Sequence, residues 1–392
     1  MTQNFIPYGK QDISEEDIDS VLKVLKSDFL TQGPQVPLFE KTVAGYCGAE
    51  YGVAVNSATS ALHVACLALG LGEGDWLWTT PNTFVASANC GLYCGAKVDF
   101  VDIDMQSYNL SVEKLEEKLI QAKKSDKLPK IVIPVHFAGQ SCNMKRIHSL
   151  SLEYGFKVIE DASHAIGGKY LDKPIGGCQY SDITVFSFHP VKIITTAEGG
   201  LATTNCQKLY KKMQRLRSHG ITRDVEDMIL PSEGEWSYQQ IELGFNYRMT
   251  EIQAALGVSQ MKRLDEFVAR RQVLRKQYDQ LLEQENLILP SQSDDCYSSM
   301  HLYPILLGTQ DSSLARSRVF KCLRASNIGV NVHYIPVHTQ PYYLNLGFKN
   351  GDFPNSELYY QNTVSLPLFY GLTDKDQVYV VSELKKALQA IE

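Results

Sequence analysis

The chain has 392 residues, a formal net charge of -6 and no Lys/Arg-rich run, so neither composition nor charge offers a surface for nucleic acid. No apolar run approaches the roughly 18 residues that a spanning helix needs, and Met-Thr-Gln-Asn-Phe-Ile-Pro-Tyr-Gly-Lys at the N-terminus lacks the charged and apolar regions of a signal peptide. A soluble cytoplasmic protein with no membrane partner is therefore expected. Its nine cysteines (47, 66, 90, 94, 142, 178, 206, 296 and 322) form no C-x-x-C pair and no zinc-like spacing with the histidines, which predicts reduced thiols and no metal.

In chain order, Ser14-Glu-Glu-Asp17 reads as a capping-box-like start to a helix with Ile18, Val21, Leu22 and Leu25 on one face. Seven short apolar runs follow, at 51–55, 75–79, 97–103, 130–136, 156–160, 182–188 and 200–204. Those before residue 160 alternate with helix-like segments, the pattern of a mainly parallel sheet with crossover helices. The last two are too close for a crossover, so one of them is predicted to run antiparallel. From about Arg248 to Glu285 there is no proline and only Gly257, which predicts one or two long helices joining two units. A strand (301–307), helix (312–326), strand (330–335) and helix (373–390, capped by Thr373) then make a compact α/β unit. The expected division is 1–260, a large domain with its N-terminal helix, and 261–392, an interdomain helix with a small C-terminal domain. Ser291 to Ser299 is the best candidate for a mobile loop.

Three segments carry chemistry. Ser181-Asp-Ile-Thr-Val-Phe-Ser187-Phe-His-Pro-Val-Lys192 runs an apolar strand into a lysine that hydroxyls and glycines follow. Phe156-Lys-Val-Ile-Glu-Asp161 is a second strand, delivering a carboxylate at its C-terminal end. An amine and an acid on two strand ends suit pyridoxal 5'-phosphate (PLP), whose aldehyde needs the one and whose ring nitrogen needs the other. The third segment, Asn56-Ser57-Ala58-Thr59-Ser60, joins a strand to a helix and so offers hydroxyls and free N–H groups to a phosphate. Serine and threonine are also ordinary helix caps, so this turn gains its meaning from the other two segments. No G-x-G-x-x-G follows a strand, which disfavours a dinucleotide-binding dehydrogenase.

These motifs, with Thr80-Pro-Asn-Thr-Phe-Val-Ala, Glu160-Asp-Ala-Ser-His-Ala, Glu198-Gly-Gly and Gly244-Phe-Asn-Tyr-Arg-Met-Thr-Glu-Ile-Gln-Ala-Ala, resemble the DegT/DnrJ/EryC group of PLP-dependent nucleotide-sugar aminotransferases over nearly the whole chain. The resemblance implies a type I (aspartate aminotransferase-like) PLP transferase fold, a large domain with a mostly parallel seven-stranded sheet plus a small α/β C-terminal domain. It implies Lys192 as the amine that holds the cofactor and moves the proton, and Asp161 as the partner of the pyridine nitrogen. Members that dehydrate sugars carry histidine at the lysine position, so lysine here argues for amino transfer. Phe84 is placed against the ring. His164 either packs on the ring, hydrogen-bonds Asp161 or is an ordinary core histidine. Ser57, Ala58, Thr59 and Ser187 are the phosphate group's candidates, with Asn246, which the family extends across a dimer interface; a helix cap is the ordinary reading of Asn246.

For the substrate, resemblance and residue type together nominate Tyr8, Asp28, Phe29, Leu30, Thr31, Arg248, His333, Tyr334 and Tyr343. Phe29 to Gly33, Ile193 to Glu198, Arg217 to Gly220 and Val332 to Pro336 are most similar to members of the pseudaminic-acid route, which aminate a UDP-linked 4-keto sugar with L-glutamate. A composite-site homodimer is the implied assembly. The rival readings are a dTDP- or GDP-linked sugar and a catalytically idle homologue, the latter disfavoured by the joint presence of Lys192, Asp161 and Ser187. Asp75-Trp-Leu-Trp78 departs from the family's wording, and the two tryptophans are expected to alter packing beneath Phe84.

Overall fold

A computed structural model describes residues 4–308 and 312–390, so the first three residues of the N-terminal stretch lie outside it. Helix α1 (Glu15–Leu25) starts in a full capping box, with the Ser14 hydroxyl accepting from Asp17 N–H and the Asp17 carboxylate accepting from Ser14 N–H. Its apolar face is not inward, however. Ile18, Leu22 and Leu25 are exposed, and only Asp17 and Val24 are buried, because α1 turns a polar face onto Gln260 and Arg263.

Helix α2 (Gln35–Cys47) leads into β1 (Tyr51–Val55), and α3 (Ala58–Ala68) follows. Then come β2 (Trp76–Thr79), α4 (Ala86–Tyr93), β3 (Lys97–Phe100), α5 (Val112–Lys124), β4 (Ile131–Ile133), α6 (Met144–Tyr154) and β5 (Lys157–Asp161). With the strands Ile183–Ser187 and Gly200–Thr204 they form one seven-stranded sheet, in the order β1, 200–204, 183–187, β5, β4, β2, β3. Strand 200–204 is antiparallel to both neighbours and the remaining pairings are parallel, as the short 188–199 link requires. The inner runs are largely apolar because helices cover both faces of the sheet, whereas the edge strand β3 alternates, with Lys97 exposed and Val98 and Phe100 buried.

Alternation along the strands sorts side chains between those faces. Trp78 packs with Val132 and Val158 against α5 and α6, with the Lys118 ammonium 5.0 Å from its ring centre, and Trp76 lies partly buried in the same cluster. Leu77, Ile131 and Ile159 face the other way, towards α3 and α4. The tryptophans therefore sit on the face opposite to the one that α3 and α4 cover, not beneath Phe84.

After α7 (Gln207–Arg217), two helices span the predicted linker, α8 (Glu251–Met261) and α9 (Leu264–Leu282). The C-terminal unit has its own core, in which Leu274, Tyr278 and Leu282 of α9 meet the strand Tyr303–Leu307, the helix Ser312–Ala325 and the helix Asp374–Gln389. Ile6 joins that core through a bridge to Ile328, so the segment ahead of α1 packs on the C-terminal unit. The expected strand at 330–335 is reduced to a single bridge, Asn331 to Ser365. The strand beside 303–307 is instead Thr363–Leu366, whose shortness hid it in the sequence. Nor is 291–299 a free loop: Cys296, Ser298 and Ser299 are buried, Cys296–Tyr297 pairs with Lys169–Tyr170, and the Ser299 hydroxyl donates to His164 O at 2.8 Å.

One buried carboxylate ties α8 to α2. Helix α2 has no side-chain cap of its own, and Glu251 accepts the N–H groups of Gln35 (2.6 Å) and Val36 (3.2 Å) in its first turn. Glu251→Ala leaves both donors unmet, that of Val36 buried and that of Gln35 partly so. It should cost about 2 kcal/mol of stability and lower the thermal midpoint, while Glu251→Gln, retaining one acceptor oxygen, should lose less.

Candidate functional site

A cavity of about 890 Å³ opens at the C-terminal ends of β5 and strand 183–187, between the large sheet and the segment 331–334. Such crevices, where parallel strands end and the strand order changes, are the usual ligand sites of open α/β sheets. Lys192, Asp161, His164, Ser57, Ala58, Thr59, Phe84, Ser187, Tyr8, His333 and Tyr334 all line it.

Strand register explains the phosphate-like corner. Gly200 pairs with Val55 on one side and Ser187 on the other, which brings the Ser187 hydroxyl beside the turn that follows β1. A Cβ at Gly200 would lie 2.5 Å from both Ala58 N and the Ser57 carbonyl, so only glycine lets the turn sit this close. Ser57 caps α3, accepting from Ser60 N–H at 3.2 Å, and the Ser60 hydroxyl donates to Asn56 Oδ1 at 2.6 Å. The first N–H groups of α3, from Ala58 and Thr59, have no acceptor within the helix and stand at its positive end.

Asp161 ends β5 on the cavity floor. It accepts the Ser87 hydroxyl at 2.6 Å and the Ser163 N–H at 3.1 Å, and Ser87 in turn meets the Thr83 hydroxyl at 2.8 Å. Lys192 rises from the loop 188–199. That loop is closed by Phe188 N–H to Gly199 O and Thr196 N–H to Phe188 O, with Ile193 and Ile194 buried beneath it. Burial lowers the Lys192 pKa from 10.5 to about 8, against the opposing pull of the Asp161 carboxylate.

His164 does not bond Asp161. Its Nδ1 accepts the Ala138 N–H (3.3 Å), which places the ring hydrogen on Nε2, and that nitrogen donates to the Tyr334 hydroxyl at 3.0 Å. Tyr334 keeps its own hydrogen for another acceptor. Its backbone N–H is held by Asn82 Oδ1 at 3.2 Å, and His333 Nδ1 meets the Ser365 hydroxyl at 2.9 Å, so residues of the C-terminal unit form the far wall. Burial first, then the neighbouring charge of Lys192, holds His164 well below the usual imidazole range; the same two causes bring His333 to about 3. Phe84 is 59% exposed on the rim, so it is no core aromatic.

Other nominees lie elsewhere in this chain. Tyr343 is a core residue, its hydroxyl donating to Asn89 at 2.6 Å and its ring packed on Phe100. Asp28, Phe29, Leu30 and Thr31 are exposed beyond the end of α1, and Arg248 bridges Val55 through its backbone, all outside the cavity lining. Asn246 is exposed and bridges Ser218. It caps no helix, since α8 is capped by Thr250 in a capping box with Gln253. Residue reasoning missed Ser87, His301, Asn331, Glu198 and Gln253, which also line the cavity. Glu198 and Gln253 stood inside quoted motifs without a role, and Ser163, also on the lining, carried a local signal, the N–H two residues past Asp161.

Residues 11–385 match the profile of the DegT/DnrJ/EryC1/StrS aminotransferase family. The chain belongs to that family. It is 38% identical over 388 residues to UDP-4-amino-4,6-dideoxy-N-acetyl-beta-L-altrosamine transaminase of Campylobacter jejuni subsp. jejuni serotype O:23/36 (strain 81-176), covering 99% of this chain and 98% of the other. The solved structure of Helicobacter pylori PseC, an aminotransferase of pseudoaminic acid biosynthesis, superposes with a TM-score of 0.90 at 30% identity over 99% of this chain and 100% of that one. The PLP form of the putative sugar aminotransferase Spr1654 from Streptococcus pneumoniae gives 0.89 at 28% identity over the same shares. This DegT-family chain is thus a PLP-dependent sugar aminotransferase of fold type I. Its cavity suits that cofactor, with a low-pKa amine, an acid on the floor and an anion-binding helix start converging on one space.

A lysine must lose its proton before it can attack an aldehyde. On adding PLP to cofactor-free protein, the rate at which the visible band appears should rise with pH through a midpoint near 8, not near 10.5. Asp161→Asn removes the charge that holds the lysine pKa up, so its midpoint should move lower still. A stopped-flow pH series on both proteins checks the sign.

Proposed function

We propose that the enzyme moves an amino group from L-glutamate to C4 of UDP-2-acetamido-2,6-dideoxy-beta-L-arabino-hexos-4-ulose. The products are UDP-4-amino-4,6-dideoxy-N-acetyl-beta-L-altrosamine and 2-oxoglutarate, in pseudaminic acid biosynthesis. The observation that carries this reading is the 38% identity, over almost the full length of both chains, to a transaminase named for that product.

PLP, when bound, supplies the aldehyde that accepts nitrogen from one substrate and passes it to the next, and a ring that absorbs the electrons of a deprotonated carbon. On this reading Lys192 holds the aldehyde, and once released its amine takes the proton from the donor's α-carbon and returns a proton to the cofactor side. A pKa near 8 suits both halves of that task. Asp161, fixed by Ser87 and Ser163, accepts from the ring N–H and keeps the ring protonated. Ala58 and Thr59 N–H groups, with the Ser57, Thr59 and Ser187 hydroxyls, hold the phosphate group. Phe84 covers one ring face, His164 lies near the other, and Tyr8, His333 and Tyr334 meet the sugar nucleotide.

Asn246 completes the phosphate site of a second copy in this proposal, and Arg248 and residues 28–31 serve that copy's substrate. Their position outside this chain's own cavity supports it. So do exposed apolar residues near them in the sequence: Ile18, Leu22, Leu25, Phe29 and Leu30 in and after α1, and Ile229, Leu230, Trp236 and Leu243 ahead of Asn246. Mixing Lys192→Ala subunits with Asn246→Asp subunits puts both lesions in one site of a heterodimer and leaves its other site intact. Activity should recover well above either parent; no recovery in demonstrated heterodimers would mean that Asn246 works in its own chain.

Three acceptors decide the sugar: the L-arabino ketone, its D-xylo epimer and a dTDP-linked 4-keto sugar, competed under limiting enzyme and glutamate with the amines identified by mass and NMR. The L-arabino ketone should be aminated fastest, since polar groups built for one isomer are left unpaired by another. Faster amination of either rival overturns the sugar assignment and leaves the aminotransferase intact.

A further inference from the structure

His301 stands outside every role assigned above, yet it lines the cavity. It lies on the segment that enters the strand Tyr303–Leu307 from the C-terminal unit, and that segment is tied to the large unit at three points. His301 N–H donates to Ala138 O (2.9 Å), Ser299 N–H to Gly139 O (3.2 Å), and the Ser299 hydroxyl to His164 O (2.8 Å). Behind it the buried Arg271 donates to the carbonyls of Met300 and His301 at 3.3 Å and of Leu368 at 2.8 Å. The imidazole packs against His164 with ring centres 4.4 Å apart. Backbone, hydroxyl and guanidinium contacts thus fix this ring, which is 4% exposed, in one place.

Its nitrogens are not equivalent. Nδ1 is buried and has no hydrogen-bond partner among the described residues, whereas Nε2 retains access to the cavity. Burial, then His164, Lys192 and Arg271, keep the ring neutral, so it carries one hydrogen. A buried lone pair without a partner is tolerated more readily than a buried N–H without one. The hydrogen therefore belongs on Nε2, facing the cavity.

We infer that His301 is a binding residue whose Nε2–H donates to an acceptor oxygen of the substrate beside the transferring nitrogen. Lys192 is the only lysine or arginine among the described residues of this chain that line the cavity, so what this chain itself offers such an oxygen is mainly neutral donors of this kind. Two substrates carry one: a carboxylate oxygen of the amino donor, or an oxygen on the sugar next to C4. The inference rests on the aminotransferase reading but not on which sugar is used.

Separate half-reactions distinguish the sources. With PLP-loaded enzyme, one arm follows bleaching of the visible band by L-glutamate. The other starts from glutamate-bleached enzyme and follows the band's return with whichever keto sugar nucleotide the wild-type enzyme aminates fastest. His301→Leu should slow one arm by about tenfold, the size of one lost neutral hydrogen bond, and leave the other arm and the starting band unchanged. His301→Gln, whose amide N–H reaches about as far as Nε2, should restore most of the lost rate. The affected arm names the oxygen's source. An equal fall in both arms, no fall in either, or a loss that glutamine does not restore would each overturn the proposal.

Discussion

Two adjacent carboxylates on one strand, Glu160 and Asp161, are the constraint around which the sheet and the site are arranged. Strand geometry sends neighbouring side chains to opposite faces, so one acid is engaged in structure and the other faces the cavity. Glu160 accepts His136 Nε2–H (2.7 Å) and the hydroxyls of Ser181 (2.5 Å) and Thr184 (3.1 Å). Burial alone would raise its pKa, but those partners outweigh it and hold the group ionised. This locks β5 to strand 183–187, and that registry keeps Asp161 and the Lys192 loop on one cavity. Asp161 is held by only a hydroxyl and an amide N–H, which leaves acceptor capacity free for a ligand.

The antiparallel strand 200–204 is the second element of the design. A parallel strand between β1 and 183–187 would place its own C-terminal end at the cavity, and a long crossover would have to lead into it from the end of 183–187. Reversing it puts the tight loop 188–199 there instead. The amine is thus carried by a segment anchored at both ends by sheet hydrogen bonds and from below by Ile193 and Ile194. The same reversal brings Gly200 to the Ser57 turn, so one topological choice positions both the amine and the anion corner.

How much of this the sequence disclosed follows from where each signal is stored. The seven strands were readable because burial on both faces made most of them largely apolar runs, and the reversal because 188–199 is too short for a helix. The cavity residues found in advance all sit at strand ends or turns, where local pattern and family wording coincide. Thr363–Leu366 was lost because four residues after a helix carry no period, and 330–335 was misread because its residues are divided between the C-terminal core (Val330), the cavity wall (Asn331 to Tyr334) and the surface (Ile335), with one bridge to Ser365. Ser87 and His301 were invisible for another reason: each gains its role from a partner more than seventy residues away, Asp161 for Ser87 (separation 74) and His164 for His301. Tyr343 failed in the opposite sense, a tyrosine of suitable type that Asn89 and Phe100 draw into the core. The apolar stripe of α1 was legible as a stripe, but its direction was not: within a single chain Ile18, Leu22 and Leu25 face out.

The polar wall around Lys192 also has an electrostatic logic. His164, His301 and His333 lie near the Lys192 amine, and each is kept uncharged by burial and by the lysine itself. Had the wall been built from arginine or lysine, added positive charge would have driven the Lys192 pKa further down and weakened it as a base. Had it been built from carboxylates, the pKa would have climbed back and left the amine protonated. Neutral imidazoles and tyrosines supply hydrogen bonds without either effect. The Lys192 pKa is then set by two quantities alone, its burial and the single charge of Asp161. Apart from Glu198, the wall that faces Lys192 and Asp161 is therefore built of groups that can give a hydrogen bond without altering the charge balance of that pair.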